Sequence, residues 1–278
     1  MKNHQSFYLF TGKGGVGKST LSLAFTKFLR DQGVNASWVT IEQTSYDQFT
    51  SESLDNDWDI PKIKLNIEGC AEGYISKKLG SALVAKWITK TAFFRALVNM
   101  IPGFSYVILM GKMLDLIKNS PTPLTLVLDA PASGHALALL EATSNFKEIF
   151  QSGMLYEDTK KMLEQMHYPN FLNIFITTLP SELSYHESEE LEKEIKKLGP
   201  FETHLLLNNS LLTWEKELST APKVLQDKLK FEKELIIESG GKFLAHFPYS
   251  TSVKANDLYK VFFSGLEKLI SPNKRGSQ

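Results

Sequence analysis

Short apolar runs alternate along the chain with longer stretches in which apolar residues recur every three or four positions. The short runs are almost continuously apolar, which is typical of parallel strands buried on both faces. The longer stretches predict helices between those strands. The predicted strands are Phe7–Phe10, Ser37–Ile41, Leu124–Leu128, Leu172–Thr177, His204–Leu207 and Lys242–His246, with Ile63–Ile67 as a further candidate.

Three predicted helices are well delimited: Ser19–Gln32, Ser181–Leu198 and Asp257–Ile270. Gly33 and Gly199 follow the first two, and glycine is common just beyond the end of a helix. This alternation predicts an α/β fold with a doubly wound, mostly parallel sheet. Ligands of such sheets bind at the carboxyl ends of the strands.

We expect one domain over residues 1–278, with helical insertions at about 70–119, 141–168 and 213–239. The third insertion is strongly charged, which predicts a solvated helical arm. All methionines after Met1 lie in or near the first two insertions, at Met100, Met110, Met113, Met154, Met162 and Met166. Methionine is common on adaptable apolar binding surfaces, so these helices could hold a client. Methionines at helical spacing are more typical of core, and both interpretations stay open.

The composition is that of an ordinary globular protein, with 278 residues, 42% hydrophobic and 22% charged. The formal net charge is zero, so the charge balance favours neither nucleic acid nor an acidic membrane as partner. The single cysteine, Cys70, excludes an intrachain disulfide and a C-x-x-C metal site. The polar N-terminus and the lack of a long uninterrupted apolar run predict a cytoplasmic location.

The residues from Gly12 to Ser19 match the phosphate-binding pattern G-x-x-x-x-G-K-[ST] between a predicted strand and a predicted helix. Glycines let such a loop turn its N–H groups towards a phosphate, and the following helix adds its positive N-terminal end. Lys18 is expected to reach the β- and γ-phosphates, and Ser19 to bind Mg²⁺. The candidate nucleotide-binding residues of this segment are Gly12, Lys13, Gly14, Gly15, Val16, Gly17, Lys18, Ser19 and Thr20.

Lys13 is unusual because it places a second cation inside the same loop, close to Lys18. Like charges so near each other need a polyanion or a displaced side chain to relieve their repulsion. One solution directs Lys13 into the site of a second subunit. The alternative is a solvated loop lysine.

A second group of candidates follows the predicted strand Leu124–Leu128. Asp129 ends this apolar run, so its carboxylate should emerge at the ligand edge and hold Mg²⁺ through a water molecule. Gly134 could bring its backbone N–H close to a γ-phosphate, a contact that ATP offers and ADP does not. His135 is a further candidate, although a lone histidine at the start of a helix is more often structural.

These motifs carry a family resemblance that spans nearly the whole chain. The run from Lys13 to Thr20 resembles the deviant Walker A motif of the partition-type ATPases. The run from Asp129 to Leu140 resembles the second switch of the ArsA family, which includes arsenical-pump and tail-anchored-protein-targeting ATPases. Two segments with further similarity to that family are Pro180–Leu191 and Leu205–Asn209.

The resemblance implies a P-loop NTPase that binds ATP and Mg²⁺ between two subunits. Lys13 of one subunit would then reach the phosphates of the other and offset charge in phosphoryl transfer. Asn208 matches the family's adenine-reading asparagine, and Pro248 matches a loop that packs on adenine.

One departure from the family concerns catalysis. The family's first switch carries an aspartate that positions the attacking water, and Glu42 stands in its place here. A displacement near 1 Å can slow a reaction by about 10²-fold, so hydrolysis should be slow, or Asp47 contributes instead. Cys70 alone cannot form an arsenite site, and the short second insertion argues against tail-anchor targeting.

We therefore expect an Mg²⁺-dependent ATPase, a homodimer or a heterodimer with a related ATPase, that couples nucleotide state to a protein client. Its catalytic residues would be Lys13, Glu42 and Gly134. Nucleic acid is not expected as a partner. Membrane contact is expected only indirectly. The alternative is a nucleotide-gated interaction module with little hydrolysis, paired with a related active subunit.

Overall fold

The computed structural model describes residues 5–42, 58–131, 133–149, 151–252 and 254–270. The strands are β1 Ser6–Thr11, β2 Ala36–Ile41, β3 Lys62–Leu65, β4 Thr125–Asp129, β5 Leu172–Thr178, β6 Glu202–Ser210 and β7 Phe243–Pro248. They form one seven-stranded sheet in the order β3-β2-β4-β1-β5-β6-β7, in which every described pair is parallel. β1 is central, so the loop that follows it opens in the middle of the carboxyl edge.

Helices connect the strands and cover both faces of the sheet. They are α1 Lys18–Asp31, α2 Ile67–Leu79, α3 Ala82–Thr89, α4 Ala92–Met100, α5 Phe104–Lys118, α6 Ser133–Ile149, α7 Met154–Met166, α8 Glu182–Leu198, α9 Glu215–Leu218, α10 Lys223–Glu238 and α11 Ala255–Leu269, with a 3₁₀ turn at Leu212–Trp214. The prediction of an α/β P-loop NTPase-like fold is thus confirmed.

The sheet separates two hydrophobic cores, because successive strand residues point to opposite faces. On one face Phe10, Val127 and Phe175 pack with α1 and α11. On the other face Leu9 and Leu128 pack with α2, α5, α6, α7, α8 and α10. The near-continuous apolar runs of the sequence follow from this burial on both sides.

The candidate strand Ile63–Ile67 extends too far, since β3 ends at Leu65 and Ile67 already begins α2. Asn66 is the reason. Its side chain accepts a hydrogen bond from the backbone N–H of Gly69 at 2.7 Å and so caps the helix. Ser81 and Thr91 cap α3 and α4 in the same way, which divides this insertion into short helices.

The start of the predicted insertion, at about residue 141, falls inside a continuous helix. Glu141 lies in the middle of α6, which begins at Ser133 and continues to Ile149. Only α7 is separate from the helix that follows β4. Among the described residues no single helix has both the length and the apolar character of a membrane span. Ala92–Met100 and Phe104–Lys118 reach that threshold only together, as a pair bent by 97°.

Most of the methionines lie in the core. Met110, Met113 and Met166 are buried, and Met162 is partly buried against the core. Met100 and Met154 are exposed. For the majority of these side chains the structure therefore favours the core interpretation over a client groove.

The charged segment 213–239 is not a freely solvated arm, contrary to the prediction. Leu229, Glu232 and Leu235 of α10 are buried, and Leu235 belongs to the core beneath the sheet. The Glu232 carboxylate accepts hydrogen bonds from the Ser210 hydroxyl at 2.5 Å and from the Leu211 backbone N–H at 2.8 Å. α10 therefore holds the chain where it leaves β6.

This buried carboxylate makes the stability of the fold depend on pH. Burial raises the pKa of Glu232, although the hydrogen bonds from Ser210 and Leu211 partly oppose the shift. An acid whose folded pKa is raised holds its proton more tightly in the folded state. Its contribution to stability is therefore complete below the ordinary pKa of 4.5 and falls as the pH rises towards the folded value.

We expect the wild type to lose stability relative to Glu232→Gln as the pH rises from about 4 to 7, because the amide does not titrate. Urea unfolding of both proteins across this range measures the difference. Glu234→Gln, on the exposed face of the same helix, is the control. Parallel stability curves for the wild type and Glu232→Gln would contradict the assignment.

Candidate functional site

The loop between β1 and α1 is shaped by glycine. Gly12, Gly15 and Gly17 have φ angles of 141°, 81° and 90°, which L-residues rarely adopt. Gly17 directly precedes α1, where no side-chain cap and no acidic residue occupies the first turn. The backbone N–H groups at this end of α1 carry positive partial charge and are therefore suited to bind an anion.

The neighbouring strands β5 and β6 lie in close contact with this loop. A Cβ atom at Gly12 would lie 2.3 Å from the carbonyl oxygen of Thr177 at the end of β5. A Cβ atom at Gly17 would lie 2.2 Å from the amide nitrogen of Asn208 on β6. Both glycines are thus required by close contact as well as by φ.

Asn208 is a structural support of the loop. Its side chain is buried and donates a hydrogen bond to the Val16 carbonyl at 2.8 Å across 192 residues of sequence. Its other side-chain atom, Oδ1, is buried without a hydrogen-bond partner among the described residues. The amide nitrogen Nδ2 therefore anchors the loop, and the oxygen Oδ1 remains available as an acceptor.

The two lysines of the loop point to different partners. Lys18 Nζ donates to the Lys13 carbonyl at 2.9 Å, so its ammonium curls back over the loop. Lys13 Nζ forms a 2.6 Å ion pair with Glu187 Oε1 on α8 of the same chain. Both side chains of this pair are partly exposed. In this structure Glu187 of the same chain is the counter-ion of Lys13.

Asp129 and Ser19 are brought to the same side of the sheet. Val127 packs in the core that contains α1, and Asp129, two residues later on the same strand, shares that face. In the strand register Asp129 is opposite Phe10 on β1 and Thr40 on β2. Ser19 lies in the first turn of α1, above the same edge.

Gly134 lies in the first turn of α6 and is exposed. A Cβ atom there would meet nothing within 4 Å. The neighbouring His135 shares a hydrogen bond of 2.5 Å with the Tyr106 hydroxyl. His135 is therefore held by α5, which agrees with a structural role.

Glu42 is exposed directly after β2, and its backbone N–H donates to the Leu65 carbonyl at 2.8 Å. β4 separates β2 from the central β1, so Glu42 stands at the flank of the phosphate loop. Asp47, the alternative to Glu42, lies outside the described residues.

The predicted strand Lys242–His246 ends too early, because β7 continues to Pro248, which pairs in register with Ser210 of β6. Pro248 is partly buried. Asn208 and Pro248 thus lie at the carboxyl ends of adjacent strands. The structure brings the candidate base-binding residues to one end of the edge that carries the phosphate loop.

Sequence reasoning missed Glu187, Thr177 and Glu232. Lys13 and Glu187 are 174 residues apart, and nothing in the local pattern around Glu187 marks it as a partner of the loop. Thr177 acts through its backbone carbonyl, which no residue type announces. Glu232 is one of many acidic residues in a charged helix. These contacts arise from tertiary packing.

Comparisons with known proteins find distant similarity to ATPases. The chain is 22% identical over 208 residues to the ATPase BagA of Mycobacterium tuberculosis, covering 69% of this chain and 61% of the relative. It is 24% identical over 232 residues to the arsenical pump-driving ATPase of Escherichia coli, covering 76% of this chain and 36% of that protein. No protein-family model matches the chain. The chain thus has weak similarity to ATPases and spans about three fifths of the mycobacterial relative.

We expect Gly17→Ala to destabilise the protein and distort the loop even without ligand. A left-handed alanine costs about 1–2 kcal/mol, and the new Cβ would displace the Asn208 amide. Gly14→Ala is the matched control, because a Cβ there meets nothing within 4 Å. Urea unfolding of the apoprotein should show a lower free energy of unfolding for Gly17→Ala and little change for Gly14→Ala. Equal losses would mean that contact with β6 does not shape the loop.

Proposed function

We propose that this chain binds ATP with Mg²⁺, hydrolyses it, and couples the nucleotide state to a protein partner as a dimer. The observation that carries the proposal is the loop from Gly12 to Gly17, whose left-handed glycines lead into an uncapped helix at the centre of the carboxyl edge. Similarity to proteins named ATPases supports it. A cytoplasmic location fits the same proposal.

Lys18 and the first backbone N–H groups of α1 bind the phosphates in this proposal. Lys18 now donates to the Lys13 carbonyl, a contact that it exchanges for phosphate oxygens. Ser19 and Asp129 supply one hydroxyl and one carboxylate on the same side of the sheet. This small set of oxygen donors fits Mg²⁺, which keeps several waters and shares phosphate oxygens. The metal, when bound, neutralises charge on the phosphates.

The base end of the site is formed by Asn208 and Pro248 in this proposal. The buried Oδ1 of Asn208 is an acceptor for the exocyclic amine of adenine, while Nδ2 keeps its bond to Val16. Glu232 holds the following residues, Ser210 and Leu211, in place. Base recognition and loop geometry then depend on the same side chain.

Lys13 acts across the dimer interface in this proposal. An exposed ion pair contributes only about 0–1 kcal/mol, so little energy holds Lys13 on Glu187 of its own chain. Closure of two subunits releases it to the phosphates of the neighbouring site. Gly134, with open space where a Cβ atom would lie, lets the start of α6 approach the γ-phosphate.

The proposal is tested by replacing each lysine. We expect Lys18→Ala to weaken MgATP binding by more than about a hundredfold, because it loses two charge-assisted contacts of about 1.5–3 kcal/mol each. Lys13→Ala should retain binding and lower turnover. Calorimetry measures affinity, and steady-state phosphate release measures turnover. Unchanged affinity in Lys18→Ala would remove the nucleotide assignment, and unchanged turnover in Lys13→Ala would remove its catalytic role.

A second candidate function is a nucleotide-gated interaction module with little or no hydrolysis. Glu42 favours it, because this exposed glutamate stands where the resembled family has a shorter aspartate. The longer side chain places its carboxylate differently relative to an attacking water.

Glu42→Gln distinguishes the two functions. If the chain is an ATPase with Glu42 as the water-positioning group, we expect turnover above background in the wild type and a loss of about 10²-fold or more in the variant, with unchanged ATP affinity. Glu68→Gln, in the first turn of α2, is the control. Tight ATP binding without turnover in the wild type would select the interaction module.

A further inference from the structure

The helix pair α3 and α4, residues Ala82–Met100, carries an apolar surface that the nucleotide site does not use. Its most exposed large side chains are Leu83 at 84%, Trp87 at 72%, Phe93 at 75% and Met100 at 78%. None of its residues belongs to either of the cores that cover the sheet. α3 buries only Ala85 and Thr89, and α4 only Phe94. We call this segment the outer helix pair.

The outer helix pair is also strongly cationic. Between Glu72 and Asp115 the chain has six basic residues and no acidic one, although its overall net charge is zero. Lys77 and Lys78, just before the pair, form ion pairs with Asp115 and Asp158. Lys86, Lys90 and Arg95 are exposed, and no salt bridge joins them to a carboxylate among the described residues.

The charges and the apolar side chains share one face of α3. Leu83, Lys86, Trp87 and Lys90 have the spacing i, i+3, i+4 and i+7, which places them along a single stripe. On α4, Phe93, Ala96 and Met100 follow the same spacing, with Arg95 beside them. Lysine and arginine can extend their charged ends from such a stripe while the apolar residues go deeper.

We propose that the outer helix pair docks on the surface of an anionic lipid bilayer. Trp87 and Phe93 would enter the boundary between headgroups and acyl chains, and Lys86, Lys90 and Arg95 would contact the lipid phosphates. This contact is direct, unlike the indirect membrane contact expected from the sequence. It does not depend on the nucleotide chemistry proposed above.

Two other occupants fit this surface less well. A second copy of the chain would bring the same basic charges, and no acidic residue of the 73–114 segment would face them. An apolar helix of a client protein would cover the leucine and tryptophan but would also bury Lys86 and Lys90 without partners. An anionic bilayer accommodates both the apolar side chains and the charges.

Vesicle flotation of the full chain tests the proposal. We expect it to float with vesicles of equal parts phosphatidylcholine and phosphatidylglycerol, not with phosphatidylcholine alone, and less at high salt. Lys90→Gln should weaken binding roughly fivefold. Trp87→Ser and Phe93→Ser should each weaken it about tenfold or more. The wild type should also show a blue shift of tryptophan emission that Trp87→Ser lacks.

Controls on another helix separate this surface from a general effect. Ile237→Ser removes a side chain that is 77% exposed on α10, and Lys228→Gln removes an exposed charge from the same helix. Both should float as the wild type does. All these variants change exposed side chains, so their melting temperatures should match that of the wild type.

Absence of flotation, equal flotation with neutral vesicles, or equal loss in the control variants would overturn the proposal. The proposal would also fail if the wild type did not float but self-associated or bound an apolar helical peptide, and if Trp87→Ser abolished that interaction. ATP turnover is measured separately, so failure here leaves the proposed ATPase function untouched.

Discussion

The close approach of the phosphate loop to the ends of β5 and β6 is the constraint on which the site depends. The loop has room for no side chain at Gly12 or Gly17, because the Thr177 carbonyl and the Asn208 amide occupy that space. The hydrogen bond from Asn208 to Val16 then fixes the height of the loop over the sheet. The N-terminus of α1 is therefore positioned by β1, which leads into the loop, and by β5 and β6, which contact it.

The same packing explains why Lys13 and Lys18 are compatible in so short a loop. Lys18 is satisfied inside the loop, whereas Lys13 is drawn outward to Glu187 on α8. Because both members of that pair are partly exposed, water screens the interaction and the lysine is only weakly held. In the proposed dimer, this weakly held lysine would be released to the neighbouring site at little energetic cost.

The elements that the sequence predicts well are those governed by local rules. The apolar runs, the phosphate loop and the position of Asp129 at the end of β4 follow from periodicity and from a motif between strand and helix. The start of α2 at Ile67 and the start of α6 at Ser133 were not predicted, because a cap at Asn66 and an uninterrupted helix outweighed the average hydrophobic pattern. The role of Glu232 could not be predicted, since it comes from a contact with a strand that ends 22 residues earlier.

Exposed apolar side chains and basic side chains are concentrated in the same part of this molecule, the outer helix pair. The core-facing helices bury their apolar residues, and some of their basic residues form ion pairs, as Lys77 does with Asp115. In α3 and α4 the exposed aromatic residues and the basic residues without described ion pairs occur together. A surface that only had to be solvated would not need Trp87 and Phe93, and a surface that only had to be buried would not need Lys86 and Lys90. The combination is physically consistent at a boundary between water and hydrocarbon, where each kind of side chain finds its own medium.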